Sequence, residues 1–244
     1  MRFMSSPNSP LITLLVPSHK EGTLIRLTCE TIFGAMRAEK IEDFEIIVSD
    51  CNHEGDGGLE IGKELMRQDP RVRYVRQDGC YNLGYHYAFG LREAKGEFFM
   101  MIPGDNETVD QTIRNLLRAR DKADLVLSYT ENPEVRPLKR RVISKVYIWI
   151  CNLLFGLNLS YYNGISLIRT SLLKPLLPFS DGFAYSTEII VRLLKLGHGH
   201  TYIEVPMLIY PPIPGRKAAI FRLRNFISVA KTLSRLAVKA RLKI

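Results

Sequence analysis

Acidic residues stop at Glu204. Beyond it stand nine of the 34 basic residues, Arg216, Lys217, Arg222, Arg224, Lys231, Arg235, Lys239, Arg241 and Lys243, leaving 25 basic against 25 acidic in the body before them. The net charge of +9 is therefore a property of the tail, which calls for a local anionic partner and argues against a protein that coats nucleic acid. Cysteine is scarce. Cys29, Cys51, Cys80 and Cys151 form no CxxC pair and no zinc-ligand spacing, so buried, reduced thiols in a cytosolic protein are expected. No apolar run reaches the ~18 residues of a membrane span, and residues 1–10 have two prolines and no apolar signal core. No GxGxxG follows the first apolar run, which excludes a dinucleotide-dependent dehydrogenase. The Gly-rich amino-terminal loop of a nucleotide-sugar pyrophosphorylase is absent as well.

What is present suits one large α/β domain: 244 residues, 46% of them hydrophobic. Short apolar runs bounded by turn residues alternate with segments of helical spacing. Strands are predicted at 11–16, 44–49, 72–75, 96–102 and 124–128. Helices are predicted at 23–38, 59–68, 82–94 and 108–120. That alternation implies a mainly parallel sheet in three layers. Residues 142–157 form an apolar helix whose narrow polar strip is Ser144, Lys145 and Asn152, so it is predicted to be buried or to rest against something apolar, with Trp149 placed in the core in preference to an interfacial anchor. A helix opens at Gly182 and runs to about Leu196, and a last strand covers 202–205. From Ala218 on, Ile220, Leu223, Phe226, Ile227, Ala230, Leu233, Ala237 and Ala240 share a helix with a stripe of Arg224, Lys231, Arg235, Lys239 and Lys243. Such a basic amphipathic helix suits an anionic membrane surface, where each Lys or Arg adds roughly 1 kcal/mol. The expected organisation is one domain over 10–217 with the helix of 218–244 appended.

Residues 96–107 organise the rest. Phe98 to Ile102 is almost wholly apolar, breaks at Pro103-Gly104, and presents Asp105 and Glu107. Carboxylates just past a buried strand stand where open α/β sheets bind ligands, and two acids two residues apart can share a hard cation. A solvated surface turn is the competing reading of the spacing alone.

Taken in order, the motifs resemble a family 2 glycosyltransferase of GT-A fold, and within it the polyprenyl-phosphate sugar transferases of the dolichyl-phosphate mannose synthase type. Val16-Pro-Ser-His-Lys-Glu21 is similar to the family's V-P-x-x-N-E, with Lys20 in place of Asn. Ile46-Ile-Val-Ser-Asp50 and the Gly/Asp turn after it resemble V-D-D-G-S-x-D-G-T, with Cys51 for the second Asp. Asn82-Leu-Gly84, Ala88, Gly90, Ala94 and Gly96 resemble the N-x-G helix. Asp105 matches the second acid of D-x-D, whose first is Pro103 here. Gly182 to Glu188 resembles G-F-x-x-x-x-E. Glu204-Val-Pro206 and Gly215-Arg-Lys217 resemble E-V-P and the end of R-x-x-G-x-S-K. In the acceptor loop, residues 160–166, the family's Asp and Arg are missing.

The resemblance implies a Rossmann-like α/β/α sandwich with a mainly parallel central sheet plus a C-terminal amphipathic helix. It implies a metal-dependent inverting transfer of a sugar from a GDP- or UDP-sugar to a membrane-associated acceptor, above all a polyprenyl phosphate. Donor contacts fall to Pro17, Glu21, Asp50, Asn82, Gly84 and Asp105. Mg2+ or Mn2+ falls to Asp105 and Glu107. An acceptor phosphate falls to Arg169, Arg216 and Lys217. If the acceptor is a hydroxyl it needs a base, and Glu188 is the later acid placed to serve. The enzyme is expected at the cytoplasmic face of a membrane, held peripherally by its tail. Two alternatives stay open at this level: transfer to a glycan or glycolipid hydroxyl, and an inactive sugar-nucleotide-binding protein, which Pro103 motivates.

Overall fold

A computed structural model describes residues 10–51, 55–79, 81–196, 199–212 and 223–242. The chain folds in the order β1 (Ile12–Ser18), α1 (Leu24–Ala38), β2 (Phe44–Asp50), α2 (Gly58–Gln68), β3 (Val72–Arg76), α3 (Leu83–Glu93), β4 (Phe98–Met101), α4 (Asp110–Ala119), β5 (Leu125–Thr130), α5 (Leu138–Phe155), β6 (Ser166–Arg169), α6 (Thr170–Leu173), α7 (Tyr185–Val191), β7 (Tyr202–Met207) and α8 (Leu223–Leu242). The seven strands stand in the order β3-β2-β1-β4-β6-β5-β7. All pairs are parallel except those of β6, which runs against β4 and β5. The expected three-layer, mainly parallel architecture is what forms.

The layers follow from side-chain alternation. Ile12, Leu14 and Val16 of β1 enter one core with Phe98 and Met100 of β4, where α1 contributes Ile25, Cys29, Ile32 and Met36 and α4 contributes Ile113, Leu116 and Leu117. Leu15, Phe99 and Met101 point the other way, into a second core with Tyr87 and Leu91 of α3, Ile189 and Ile190 of α7, and Leu233 and Leu236 of α8. Both faces of β1, β2 and β4 are buried, which is why their sequences read as unbroken apolar runs.

Three expectations change. β1 continues through Pro17 and Ser18, which pair with Ser49 and Asp50 of β2. The helix opened at Gly182 is a short α7 followed by a π-helical turn over Arg192–Leu196. The apolar helix α5 is not buried: Cys151 and Phe155 alone are fully buried in it, and Trp149 is 65% exposed. The helix lies against the body along one narrow strip, Tyr147, Ile148, Cys151 and Phe155, and among the described residues most of its other apolar side chains are left exposed. Cys29, Cys51 and Cys151 are buried cysteines that form no disulfide, and burial pushes the Cys29 thiol up to about 12. Cys80 lies outside the described residues.

Candidate active site

The sheet changes direction at β1: β2 lies on one side of it and β4 on the other. The crevice beyond the carboxyl ends of these strands is where a doubly wound sheet binds ligands. Pro17, Asp50 and Asp105 all belong to this edge. The Gly104 amide donates to the Pro17 carbonyl at 3.0 Å, and Ile102 to Leu15 at 2.8 Å, which fixes the Asp105 turn against the end of β1. Glu21 joins them, its Cγ within 3.6 Å of where a Gly104 side chain would begin. Gly22 has φ +53, and a Cβ there would meet the Asp56 carbonyl at 2.5 Å, so the loops after β1 and β2 touch and only glycine fits between them.

Asp50 is 2% exposed. Tyr74 donates to its Oδ2 at 2.6 Å, and Gly58, the first residue of α2, leaves that oxygen no room for a methyl group. Burial, and then the bond to Asp50, raises Tyr74 far above its ordinary value, so it remains a donor. Asp50 Oδ1 is buried without a hydrogen-bond partner among the described residues, as are Ser18 Oγ and Asp56 Oδ2. Buried polar atoms are rarely left unpaired. Three of them at one crevice mark a place shaped for polar groups that the chain itself does not supply.

Behind Asp50 stands His86 of α3. Its Nδ1 is 2.8 Å from Ser49 Oγ and its Nε2 3.6 Å from Cys51 Sγ, bracketing Asp50 from both sides. Gln77 donates to the same Ser49 Oγ at 2.9 Å. Burial, followed by the charge of His19, lowers the imidazole to about 4. Tyr74 and Gln77 belong to no matched motif, and Ser18, Asp56 and His86 stand inside matched stretches at positions that the sequence alone does not single out. A titratable residue on the small-residue face of the 82–94 helix was the one available hint for His86.

Asp105 and Glu107 form a tight turn: the Glu107 amide donates to Asp105 Oδ1 at 3.1 Å. Asn106 between them has φ 54, held by its amide bond to Thr28 Oγ1 at 3.1 Å. The Glu107 carbonyl accepts from Tyr210 at 2.8 Å, and Thr108 bridges to Ile209. Two oxygen-bearing side chains at a fixed turn suit Mg2+ or Mn2+, which keep much of their shell for phosphate oxygens and water. Among the described residues no group of three or more His, Cys, Asp and Glu gathers to form a closed metal cage.

Asn82 caps the start of α3 and is exposed. Gly84 is buried beneath the backbone of Ser180 and Asp181, which a Cβ would run into. That loop is in turn held by Glu188, whose Oε2 accepts from the Ser180 amide at 3.0 Å and from Arg235 of α8 at 3.1 Å, with Arg192 at 3.8 Å from Oε1. Glu188 is thus buried within an ion cluster. Arg169 is not brought to this edge: it pairs with Phe98 at the start of β4, is bonded to Glu97, and lies over the Phe98 ring at 4.6 Å. Three strand steps, on the order of 10 Å, separate that position from the end of β4. Arg216 and Lys217 lie outside the described residues, as does His198. His200 sits 3.8 Å from Asp124. A cation that sequence reasoning missed is Arg136, just past the site end of β5. It donates to Tyr161 Oη of the 160–166 loop at 3.0 Å, and its Nε is buried without a partner among the described residues.

Residues 13–174 match the family model described as glycosyl transferase family 2. The dolichol-phosphate mannosyltransferase of Saccharomyces cerevisiae is 26% identical over 137 residues, 54% of this chain and 51% of that one. A GalNAc(5)-diNAcBac-PP-undecaprenol beta-1,3-glucosyltransferase of Campylobacter jejuni is 26% identical over 110 residues, 45% of this chain and 34% of that one. The matches thus span about half, or less, of these relatives. Among solved structures, a mannosyltransferase of Pyrobaculum calidifontis in complex with GDP-Man and Mn2+ superposes with a TM-score of 0.64 at 16% identity, covering 96% of this chain and 65% of that one. Glucosyl-3-phosphoglycerate synthase of Mycobacterium tuberculosis with Mg2+ and UDP gives 0.62 at 14% identity, covering 95% and 79%. At those identities the likeness is one of fold.

Proposed function

The chain belongs to glycosyl transferase family 2, and from that premise we propose that it is a hexosyltransferase, moving a sugar from a GDP- or UDP-sugar to a polyprenyl phosphate at the cytoplasmic surface of a membrane. The observation that carries this reading is the convergence, at the turning point of one sheet, of Asp50 with its unpartnered buried oxygen and the Asp105–Glu107 turn. The names of the curated relatives, with dolichol phosphate and undecaprenol in them, support the lipid acceptor. The nucleotides and cations of the structural neighbours support the donor and the metal.

In this reading Asp50 Oδ1 and Ser18 Oγ take the nucleoside's N–H and hydroxyl groups, and the Tyr74 hydroxyl keeps the Asp50 carboxylate aimed. Glu21, Pro17, Asn82 and Gly84 line the donor. A divalent cation would be held by Asp105 and Glu107 and, when bound, would offset the charge that builds on the departing diphosphate. An acceptor oxygen attacks the anomeric carbon from the face opposite the diphosphate. The new carbon–oxygen bond forms as the old one breaks, the diphosphate leaves with the electron pair, and configuration inverts. A lipid phosphate is already ionised near pH 7 and needs no general base. The capture of Glu188 by Arg235 and Arg192 supports that acceptor over a hydroxyl, since the one later acid suited to be a base is occupied. Arg136 takes the acceptor-phosphate role expected of Arg169, and Arg216 and Lys217 remain candidates beside it.

Thermal shifts with GDP- and UDP-sugars, each with and without Mn2+, test donor and metal together, because a ligand of the native state raises its stability. Asp50→Asn is expected to weaken the donor with or without metal. Asp105→Ala is expected to remove only the metal-dependent part. A metal response unchanged in Asp105→Ala sinks the metal assignment, and the absence of any sugar-nucleotide shift sinks the reading itself. Transfer to a short polyprenyl phosphate, compared with an oligosaccharide, decides the acceptor, and Arg136→Ala is expected to raise the KM for the former about tenfold or more.

A further inference from the structure

The outward face of α5 is apolar along its whole length. Leu138, Val142, Val146, Trp149 and Leu153 are exposed to 69, 51, 50, 65 and 69%. At ~100° per residue they fall within one arc of about 80°. Single exposed apolar residues need no explanation, but a continuous stripe of five does. The helix is also placed with purpose. It begins eight residues beyond Thr130, where β5 ends, and finishes before Ser166, where the antiparallel β6 starts. Both ends are thus tied to the sheet edge that carries Asp50 and Asp105. Asn152 near its end bonds Leu159 through both amide groups and accepts from Tyr162 Oη at 2.8 Å, so the 160–166 loop is fastened to α5.

The charges around the stripe have one sign. Lys139, Arg140, Arg141 and Lys145 lie on α5, and no Asp or Glu occurs from Val135 to Ser180. α8 packs beside α5. It buries Leu233 and Leu236 in the body and turns Lys231, Arg241, Ile227 and Val238 outward. A second copy laid on this face would set cation against cation. An anionic lipid surface instead takes the apolar stripe below its headgroups and the Lys and Arg among them.

We propose that α5, with Trp149 at its centre, is seated in the headgroup layer of an anionic bilayer, with α8 beside it adding positive charge. This assigns insertion to an element other than the C-terminal helix, and it sets the site edge of the sheet at the lipid surface. The proposal deepens the lipid-acceptor reading, yet docking needs no transfer, so the two fail separately.

Trp149 is the only tryptophan of the chain and reports its own surroundings. Full-length protein is mixed with phosphatidylcholine vesicles, with and without an added phosphatidylglycerol fraction. Co-sedimentation and a blue shift of Trp149 emission are expected with the anionic vesicles. Leu138→Ser combined with Leu153→Ser is expected to weaken partition about tenfold or more. These side chains are exposed, so the thermal melt and the sugar-nucleotide shift should not change. Unchanged Trp149 emission on anionic vesicles overturns the proposal, as does equal partition of the double variant. A concentration-dependent dimer that the same substitutions dissolve overturns it in favour of a second copy. Vesicle binding retained without sugar transfer sustains the docking and counts against the enzymatic reading alone.

Discussion

His86 shows how much of a site can rest on a residue at a variable position of a motif. Its imidazole fills the space between Ser49 and Cys51, and Asp50 is the residue between them. Burial holds the ring neutral, lowering it from 6.5 to about 4. The sign follows directly. In the unfolded chain the group takes a proton below about pH 6.5, while in the fold it resists until about pH 4, so the unfolded state binds more protons in that window. The stabilisation is complete above the unfolded value and falls as pH drops, by on the order of 3 kcal/mol once pH reaches the folded value. Urea titrations of wild type and His86→Gln between about pH 4 and 7 check this, with a flatter pH dependence expected for the variant. Asp105 and Asp50 were legible from sequence because an apolar run that stops at an acid is a local signal. His86, Tyr74 and Arg136 were not, since each matters only through a contact with a distant segment.

At the scale of elements, α7, α8 and the 178–181 loop form one unit, joined at Glu188. Its side chain is 7% exposed and holds the loop that covers Gly84 at the start of α3. In the proposed reading Glu188 is a positioning residue. Glu188→Gln should keep the Ser180 bond, weaken those to Arg235 and Arg192, and cost about 1 to 3 kcal/mol. Its kcat is expected within about tenfold of wild type, with an unchanged pH–rate profile, whereas loss of the acidic limb of that profile would restore the general base. Leu236→Ala, at 1% exposure, should cost about 2 to 5 kcal/mol and loosen α8, measured by thermal melt. The helix periods of α1 and α4 were readable because their apolar stripes match their buried faces, whereas the stripe of α8 leaves Phe226 and Ile227 exposed. For α5 the pattern left burial and an apolar contact outside the body both open, and the structure removes burial: its apolar residues face outward, and periodicity says which residues share a face but not what that face meets.

For the whole molecule, the charge asymmetry makes a further prediction. Docking that combines an apolar stripe with Lys and Arg should weaken as salt rises toward about 1 M, where screening shortens to about 3 Å, but should not vanish, because the apolar part is unscreened. Vesicle sedimentation against salt measures both parts, and complete release would assign all of the binding to charge. The sequence by itself determined the α/β class, the three layers, the positions of β1, β2 and β4, and the acids at their ends. These depend on local periodicity and on turn residues that act within a few positions of one another. The tertiary structure alone decided that β6 runs antiparallel and that Arg169 faces the far end of β4. It also decided that Glu188 is held by Arg235 and that Trp149 is outside. Each of those depends on which surfaces remain after distant elements have packed, and no pattern within a single segment carries that information.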